Sequence, residues 1–338
     1  MKGHGPADPL QTPRFAGIST FLRLPHTLHL ENVDVAFVGL PFDTGVSFRA
    51  GARFGPKAIR EGSLALRPMY NISQRVEVFE RVSAIDYGDA PVVPGFIERS
   101  YERMAATLQG VCEAGVIPIG FGGDHSVLLA ELRAVAATHG PVALIHFDAH
   151  ADTWDEYFGE KYTHGTVIRR AVEEGLIDTE RSTSMGMRGG LYAPGDLDEA
   201  RDMGLHVHTW DDLAQLGTAA VAAAVDRAGD GKTFLTFDID FVDPAYAPGT
   251  GTPECGGPTS MQALSLLRAC RGLDLAGADV VEVLPDLDCS HLTATLAATV
   301  AYEILSLIAA EWPRQHPEEG AAPSAAAGVP ELGAYGPA

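Results

Sequence analysis

The sequence contains three short polar runs whose residue types could bind metal ions, and each run directly follows an apolar segment. They are Asp148-Ala149-His150-Ala151-Asp152, Asp238-Ile239-Asp240 and Gly122-Gly123-Asp124-His125. In the first two runs the acidic and histidine side chains are spaced by two, which keeps them on one side of an extended chain. The runs therefore supply a set of carboxylates and imidazoles to a common site.

Carboxylates crowded at the ends of hydrophobic strands repel one another, and their burial is prohibitive without a compensating charge. Two divalent cations would balance four aspartates, with two neutral imidazoles completing the ligand set: His125, Asp148, His150, Asp152, Asp238 and Asp240. Such an oxygen-rich set suits Mn²⁺ better than structural zinc, which prefers thiolates and tetrahedral geometry. Two metal ions about 3.5–4 Å apart lower the pKa of a bound water, so we expect metal-assisted hydrolysis.

Each run by itself has a simpler interpretation. An Asp-x-Asp pair after a strand more often caps a helix or pairs with a basic side chain, and Asp124 could cap the helix that follows its glycine turn. The occurrence of all three runs at the ends of apolar segments favours a shared binuclear metal site over three separate structural roles.

The elements that must position these runs are predicted to form a parallel sheet covered by helices. Apolar segments without polar alternation, typical of strands buried on both faces, lie at 33–40, 116–120, 142–147, 233–237 and 278–283. Helix-like segments lie between and after them, at 98–114, 126–138, 166–174, 219–228, 260–271 and 292–310. In open parallel sheets, ligands gather beyond the carboxyl ends of the strands, which is where the polar runs stand.

The organisation of the chain predicts one domain over residues 1–312, because no linker or internal repeat divides it. The last segment, 313–338, is dominated by Ala, Pro, Gly and Glu and is predicted to be a disordered tail. No apolar run approaches the roughly 18 residues of a membrane helix, and the start lacks a signal pattern. The four cysteines are scattered, which favours reduced thiols in a cytoplasmic protein.

The charge balance of the chain limits the classes of binding partner that we expect. Among 338 residues, 45 are acidic and 24 are basic, for a formal net charge of −21. A chain with this negative charge is repelled by phosphate backbones and anionic lipid, so nucleic-acid and membrane-surface roles are disfavoured. The acidic balance suits a cationic small molecule, although it also serves solubility.

In combination, these motifs resemble the ureohydrolases, the family that includes arginase and agmatinase. The resemblance covers roughly residues 15–310 and is carried by the segments 122–126, 147–153, 236–240, 243–244, 247–253, 256–257 and 280–283. It implies an arginase-like, three-layer α/β/α sandwich around a mostly parallel sheet of about eight strands. It also implies two Mn²⁺ ions at the six ligands named above, with Ni²⁺ or Co²⁺ as alternatives, and a homo-oligomer, either a trimer or a hexamer.

The resemblance also assigns two catalytic residues. Glu282, at the end of an apolar strand, matches the family position that binds the guanidinium, and a carboxylate pairs well with that planar, forked cation. His164 matches a loop histidine that moves protons, which the reaction needs because the leaving amine must be protonated. Without the resemblance, Glu282 could be an ordinary acid at a strand end and His164 an ordinary solvated loop histidine. The implied reaction releases urea and an amine.

The loop after Asp152 favours agmatine over arginine as the substrate. Arginases carry an asparagine in this region for the substrate's α-carboxylate, whereas this chain has Trp154, Asp155 and Glu156. An acidic loop repels a carboxylate tail and tolerates an amine tail. We therefore expect hydrolysis of agmatine to putrescine and urea, with Trp154 and Asp155 contacting the substrate.

Several alternatives remain open. Segments 14–21 and 24–26 also resemble enzymes that act on guanidino acids such as 4-guanidinobutyrate, 3-guanidinopropionate or proclavaminate, and Arg49 or Arg53 could meet their carboxylate. Some relatives act on unusual guanidines or biguanides. A non-catalytic partner subunit of the same fold should have lost ligands, and a deacetylase of a related fold should have a mononuclear, histidine-rich zinc site.

Overall fold

The computed structural model describes residues 3–316, which are built around a sheet of eight parallel strands. Along the sheet the strand order is β4-β1-β5-β10-β9-β6-β7-β8. These strands are β1 Val35–Leu40, β4 Ala84–Asp89, β5 Ile117–Gly122, β6 Ala143–Phe147, β7 Thr183–Met187, β8 His206–Thr209, β9 Lys232–Asp238 and β10 Asp274–Val281. A separate antiparallel pair consists of β2 Tyr70–Asn71 and β3 Val76–Glu77.

Helices cover both faces of the sheet. They are α1 Gly55–Ser63, α2 Val78–Arg81, α3 Ile97–Glu113, α4 Leu128–His139, α5 Val167–Glu173, α6 Asp196–Asp202, α7 Trp210–Leu216, α8 Thr218–Ala228, α9 Ser260–Arg268 and α10 Leu292–Gln315. Helices α3, α4 and α5 pack in one layer, while α1, α2, α8, α9 and α10 pack on the other side. Each layer closes its own hydrophobic core against the sheet, so the three-layer α/β/α prediction is confirmed.

Helix α10 is apolar enough to satisfy the length and composition of a membrane span, yet it is a core helix. Of its most apolar window, 83% is buried inside the protein. A helix that is hydrophobic on all sides is expected where other elements surround it, and α1, α2, α9 and β10 do so here.

The five strands predicted from apolar segments are β1, β5, β6, β9 and β10 of the structure, and the six predicted helices are α3, α4, α5, α8, α9 and α10. Strands β4, β7 and β8 were not predicted because their sequences lack apolar runs: Thr183–Met187 has no Val, Ile or Leu, and His206–Thr209 lies at the sheet edge. Helix α10 continues to Gln315, beyond the predicted domain boundary, and residues 317–338 of the predicted tail lie outside the described residues.

Candidate metal centre and active site

The four central strands of the sheet bring the polar runs together. Strands β5, β10, β9 and β6 are consecutive neighbours and all run in the same direction, so their carboxyl ends meet at one edge. His125 follows β5, Glu282 follows β10, Asp238 ends β9, and Asp148 follows β6. Sequence-distant side chains therefore converge because the parallel topology aligns the strand ends.

The run after β6 turns at once instead of remaining extended, which differs from the expected one-sided strand. The Asp148 Oδ1 atom accepts a hydrogen bond from the His150 backbone N at 2.6 Å, which closes a turn. Asp152 then adopts a left-handed conformation with φ of 53°. As a result Asp148 faces both neighbouring histidines, while Asp152 and His150 lie on different sides of it. Non-glycine residues in such backbone conformations cluster at functional sites.

The run after β9 is also folded into a turn. Asp240 lies in the 3₁₀ helix Ile239–Phe241, and its backbone N donates to Asp238 Oδ1 at 2.8 Å. The carboxylate of Asp240 is held toward the β6 loop, because its Oδ1 accepts from the Ala149 backbone N at 3.1 Å. These local bonds hold two buried acids beside the first run.

The glycine turn after β5 places His125 against these acids. Asp124 caps the 3₁₀ helix His125–Val127 by accepting a hydrogen bond from Ser126 N. The capping role that the sequence allowed for Asp124 is therefore present. Gly123 is required by space, since a Cβ atom there would overlap the carbonyl oxygen of Phe42. Capping by Asp124 and a ligand position for His125 are thus compatible.

The first group of candidate ligands surrounds the His125 Nδ1 atom. This nitrogen lies 3.0 Å from Asp148 Oδ2, 3.0 Å from Asp152 Oδ2 and 3.4 Å from Asp238 Oδ2. The other ring nitrogen, Nε2, lies 2.9 Å from the Thr236 hydroxyl. Three carboxylate oxygens around one buried nitrogen require a cation in their midst, either a proton on Nδ1 or a metal ion.

The second group surrounds the His150 Nδ1 atom, which lies 3.1 Å from Asp240 Oδ2 and 3.4 Å from Asp148 Oδ1. Asp148 thus uses one oxygen toward each histidine. The ligand atoms of Asp148, His150 and Asp240 lie within 4.8 Å of one another, as do those of His125, His146, Asp148 and Asp152. Asp238 joins the latter set through its 3.4 Å approach to His125 Nδ1. The structure therefore brings all six sequence-predicted ligands together as two adjoining groups that share Asp148.

The pKa values of the two groups reflect their crowded carboxylates. Although burial alone lowers the pKa of His125 and of His150, the surrounding carboxylates raise both pKa values well above the usual range. Burial, followed by repulsion from the neighbouring acids, raises the pKa of Asp238. Burial is also the main cause that raises the pKa of Asp240. Divalent ions among these side chains would neutralise the carboxylates that cause these shifts.

His146 is a residue of this site that the sequence interpretation did not single out. Its Nε2 atom lies 2.9 Å from Asp148 Oδ2, and its Nδ1 atom lies 3.1 Å from the Ser184 hydroxyl. This contact fixes the carboxylate that both groups share. The signal was available, because His146 continues the spacing of two through Asp148 and His150, but it lies inside the apolar segment.

Glu282 and His164 adjoin the first group. The Glu282 Oε1 atom accepts from the His125 backbone N at 2.9 Å and lies 3.1 Å from His164 Nδ1. The Oε2 atom is buried and has no hydrogen-bond partner among the described residues. Glu282 also has a left-handed backbone, with φ of 63°. One carboxylate oxygen is thus fixed by the protein, and the other is free for a ligand.

The second ring nitrogen of His164 is also held. The Ser47 backbone N donates to His164 Nε2 at 3.0 Å, so the proton of the neutral ring lies on Nδ1 and is donated to Glu282. Burial lowers the pKa of His164, but the Glu282 carboxylate outweighs it and raises this pKa above the usual range. His164 is therefore placed to hold or pass a proton beside Glu282.

A cavity of about 820 Å³ opens onto the site. Asp152, His150 and His164 reach its floor, and its walls include Ser47, Phe48, Arg49, Trp154, Glu156, Tyr157, Phe158, Tyr192, Thr252 and Glu254. The rings of Trp154, Tyr157 and Tyr192 contact one another with centroids 5.3–6.1 Å apart. The cavity therefore has an aromatic wall with charged groups of both signs.

The structure brings Trp154 to the cavity but not Asp155. The Asp155 carboxylate accepts from Arg170 Nη2 at 2.7 Å, and its side chain is 61% exposed. The expected contact between Asp155 and the substrate stays a prediction, and in this arrangement the buried Arg170 guanidinium holds that acid on the outer surface. Glu156, the next residue, lines the cavity instead.

Comparison with known proteins agrees with this geometry. The model of the arginase family matches residues 33–306. A guanidinopropionase of Pseudomonas aeruginosa is 46% identical over 90% of this chain and 96% of its own, and a mitochondrial agmatinase of Gallus gallus is 44% identical over 87% of each. The solved structure of proclavaminate amidino hydrolase from Streptomyces clavuligerus is 40% identical, covers 88% of this chain and 99% of its own, and superposes with a TM-score of 0.85.

The chain belongs to the arginase family, and the resemblance to ureohydrolases is confirmed. It is a hydrolase that acts on C–N bonds of linear amidines, the class to which these relatives belong. The paired His/Asp groups agree with the binuclear metal site of that family.

Proposed function

We propose that this protein hydrolyses a guanidino compound to urea and an amine, with two divalent ions held by His125, Asp148, His150, Asp152, Asp238 and Asp240. The observation that carries the proposal is the pair of ligand groups that share Asp148 directly beneath the cavity. When bound, the two ions supply an activated water and neutralise the crowded acids. The oxygen-rich donor set favours Mn²⁺, with Ni²⁺ and Co²⁺ as alternatives.

In this proposal, Glu282 binds the guanidinium and His164 handles the proton. The buried Oε2 atom of Glu282 lacks a protein donor, and a guanidinium N–H supplies one in a charge-assisted hydrogen bond. His164 carries a proton on the nitrogen that faces Glu282, within reach of a guanidinium nitrogen bound there. Because its pKa is raised, the ring can take a second proton on Nε2, where the Ser47 hydroxyl oxygen lies 2.8 Å away. In that protonated form it can give a proton to the leaving amine and return to the neutral ring.

Agmatine is the substrate that we favour. Beyond the metal groups, the cavity wall carries Glu156 and Glu254 against the single cation Arg49 among its described lining residues. A cationic tail is attracted by this excess of carboxylate and by the faces of Trp154, Tyr157 and Tyr192. The product would then be putrescine, a polyamine.

A guanidino acid is the second candidate, and Arg49 is the observation that favours it. Its guanidinium lies 4.8 Å above the Phe48 ring at the cavity wall and could meet a carboxylate tail. The guanidinium of Arg53, the other arginine predicted to meet a carboxylate, donates instead from Nε to Asp43 Oδ1. The relatives named guanidinopropionase and guanidinobutyrase, at 46% and 42% identity, support this candidate.

The test is urea release by Mn²⁺-loaded protein from agmatine, 3-guanidinopropionate, 4-guanidinobutyrate, proclavaminate, arginine and guanidine. We expect agmatine to give the highest kcat/KM, and a higher value for a guanidino acid would transfer the assignment to the second candidate. Arg49→Ala should lower kcat/KM only for guanidino acids, by about tenfold or more, and Glu156→Gln should lower it only for agmatine. Urea from none of these compounds would overturn the proposed reaction.

We further propose that the chain up to the end of helix α10 at Gln315 acts as one catalytic unit in the cytoplasm and assembles as a homo-oligomer. The eight-stranded sheet that unites the described residues supports a single unit. Retention of all six candidate ligands disfavours a non-catalytic partner subunit, and the paired groups disfavour a mononuclear deacetylase site.

A further inference from the structure

Two buried acids lie near the metal site and take no part in the proposed hydrolysis. Glu131 on α4 and Asp279 on β10 are 2% and 0% exposed. They meet beside Gly120 of β5, where a Cβ atom would overlap Glu131 Oε1 and lie 3.3 Å from Asp279 Cβ. Glycine at this position therefore leaves the space in which the two carboxyl groups approach each other.

The pair is short of hydrogen-bond donors. Asp279 Oδ1 accepts from the Thr236 hydroxyl at 2.6 Å and from Phe237 N at 3.2 Å. In contrast, Asp279 Oδ2 and Glu131 Oε2 have no partner that carries a hydrogen among the described residues. Two adjacent carboxylates cannot both be ionised in such a place, so one proton shared between them satisfies both. Burial, and next the negative charge of Asp279, raise the pKa of Glu131 well above the usual range.

The pair reaches the metal site through one hydroxyl group. Thr236 has a single hydroxyl proton, and the bond to Asp279 at 2.6 Å uses it. The Thr236 oxygen must then accept the hydrogen bond from His125 Nε2, at 2.9 Å. With its proton on Nε2, the neutral His125 ring turns the lone pair of Nδ1 toward the position that Asp148, Asp152 and Asp238 surround. A metal ligand requires this form of the ring.

We propose that Glu131 is a positioning residue that carries a proton, donates it in a hydrogen bond to Asp279, and thereby orients His125 for metal binding through Thr236. The proton on Glu131 lets Asp279 stay ionised, and an ionised carboxylate is the stronger acceptor for the Thr236 hydroxyl, which favours this direction for the bonds that follow. The charged and titratable groups that face the pair are His125 and Cys112. This inference rests on the proposed metal site.

The first experiment compares Glu131→Gln with Glu131→Leu in the full chain. Glutamine keeps a donor toward Asp279 and should bind Mn²⁺ within a few-fold of the parent protein, whereas leucine removes it and should weaken affinity about 10–100-fold. Affinity is measured by competition with a chromophoric chelator, without turnover. Equal affinities in the two variants would overturn the proposal.

The second experiment keeps the proposal testable if Glu131→Leu fails to fold. The infrared C=O stretch of a protonated carboxyl group should be present at neutral pH in the metal-loaded parent protein and absent in Glu131→Gln. A spectrum without that difference would overturn the shared proton. If the parent binds no Mn²⁺, the proposed function fails, and the same infrared comparison on the protein without added metal still tests the pair.

The third comparison tests the relay through Thr236. Thr236→Ser retains the hydroxyl and should keep the metal affinity within a few-fold of the parent, while Thr236→Val removes it at similar volume. We expect the valine variant to lose about 10–100-fold in affinity. Equal affinity in the serine and valine variants would show that His125 does not depend on this hydroxyl.

Discussion

At the scale of single residues, the candidate active site is defined by buried carboxylate oxygens that lack enough protein partners. His125 Nδ1 faces three carboxylate oxygens, and Glu282 keeps one buried oxygen without a partner. Unsatisfied buried groups are costly, so their presence in one place indicates ligands that complete them. Metal ions fit the first arrangement, and a guanidinium fits the second.

The variant Glu282→Gln tests the second assignment. It should retain both metal ions, because Glu282 is not among the candidate ligands, but lose the charge that pairs with the guanidinium. We expect kcat/KM to fall by at least about 100-fold, which corresponds to about 2.7 kcal/mol. Metal content by mass spectrometry and urea release are the measurements. Turnover near that of the parent would remove Glu282 from substrate binding.

At the scale of elements, the site depends on tight turns at the ends of parallel strands. The sequence predicted the six candidate ligands because acidic and histidine residues stand after apolar segments, a local signal that needs no tertiary information. The turns of the β6 and β9 runs were not predicted, since they depend on side chain to backbone bonds such as that of Asp148 with His150 N. The Asp155–Arg170 pair likewise joins a loop to a helix that sequence spacing does not relate.

Gly123 tests how strictly the β5 turn is built. Gly123→Ala places a methyl group on the Phe42 carbonyl oxygen, so we expect a loss of about 1–3 kcal/mol in the free energy of unfolding and weaker metal binding. Gly110→Ala in α3 is the control, because open space surrounds that position. It should stabilise the protein by up to about 1 kcal/mol. Chemical denaturation of both variants gives the comparison, and equal behaviour would contradict the steric argument.

At the scale of the whole molecule, the fold concentrates negative charge in a buried site of an already acidic chain. Three strands of the sheet were not predicted, and neither was the order of the central strands, which brings the site together. Strand order involves contacts between distant segments, and local apolar patterns do not encode it. Because bound cations neutralise the buried negative charge of the folded protein, their binding should raise its global stability.

This coupling gives a pH dependence whose sign is fixed by the raised histidine pKa values. A group whose pKa is raised by folding contributes stability below its unfolded pKa, about 6.5 for histidine, and loses it as the pH rises through the folded pKa. For His125 and His150 we therefore expect the Tm of chelator-treated protein to fall as the pH rises above about 6.5. The raised pKa values of Asp238 and Asp240 act in the same direction.

Bound metal replaces those protons, so the Mn²⁺-loaded protein should lose much less thermal stability over the same pH window. Thermal scans of both forms in matched buffers provide the measurement. A metal-free Tm that rises with pH through this window would contradict the charge assignment at the two histidines.

The most direct test of the central claim is the anomalous diffraction of a crystal soaked in Mn²⁺, recorded at the manganese edge. Two peaks are expected per chain, one beside His125 Nδ1 and one beside His150 Nδ1, with Asp148 contacting both. A single peak, or manganese bound away from these side chains, would contradict the binuclear site on which the proposed hydrolysis depends.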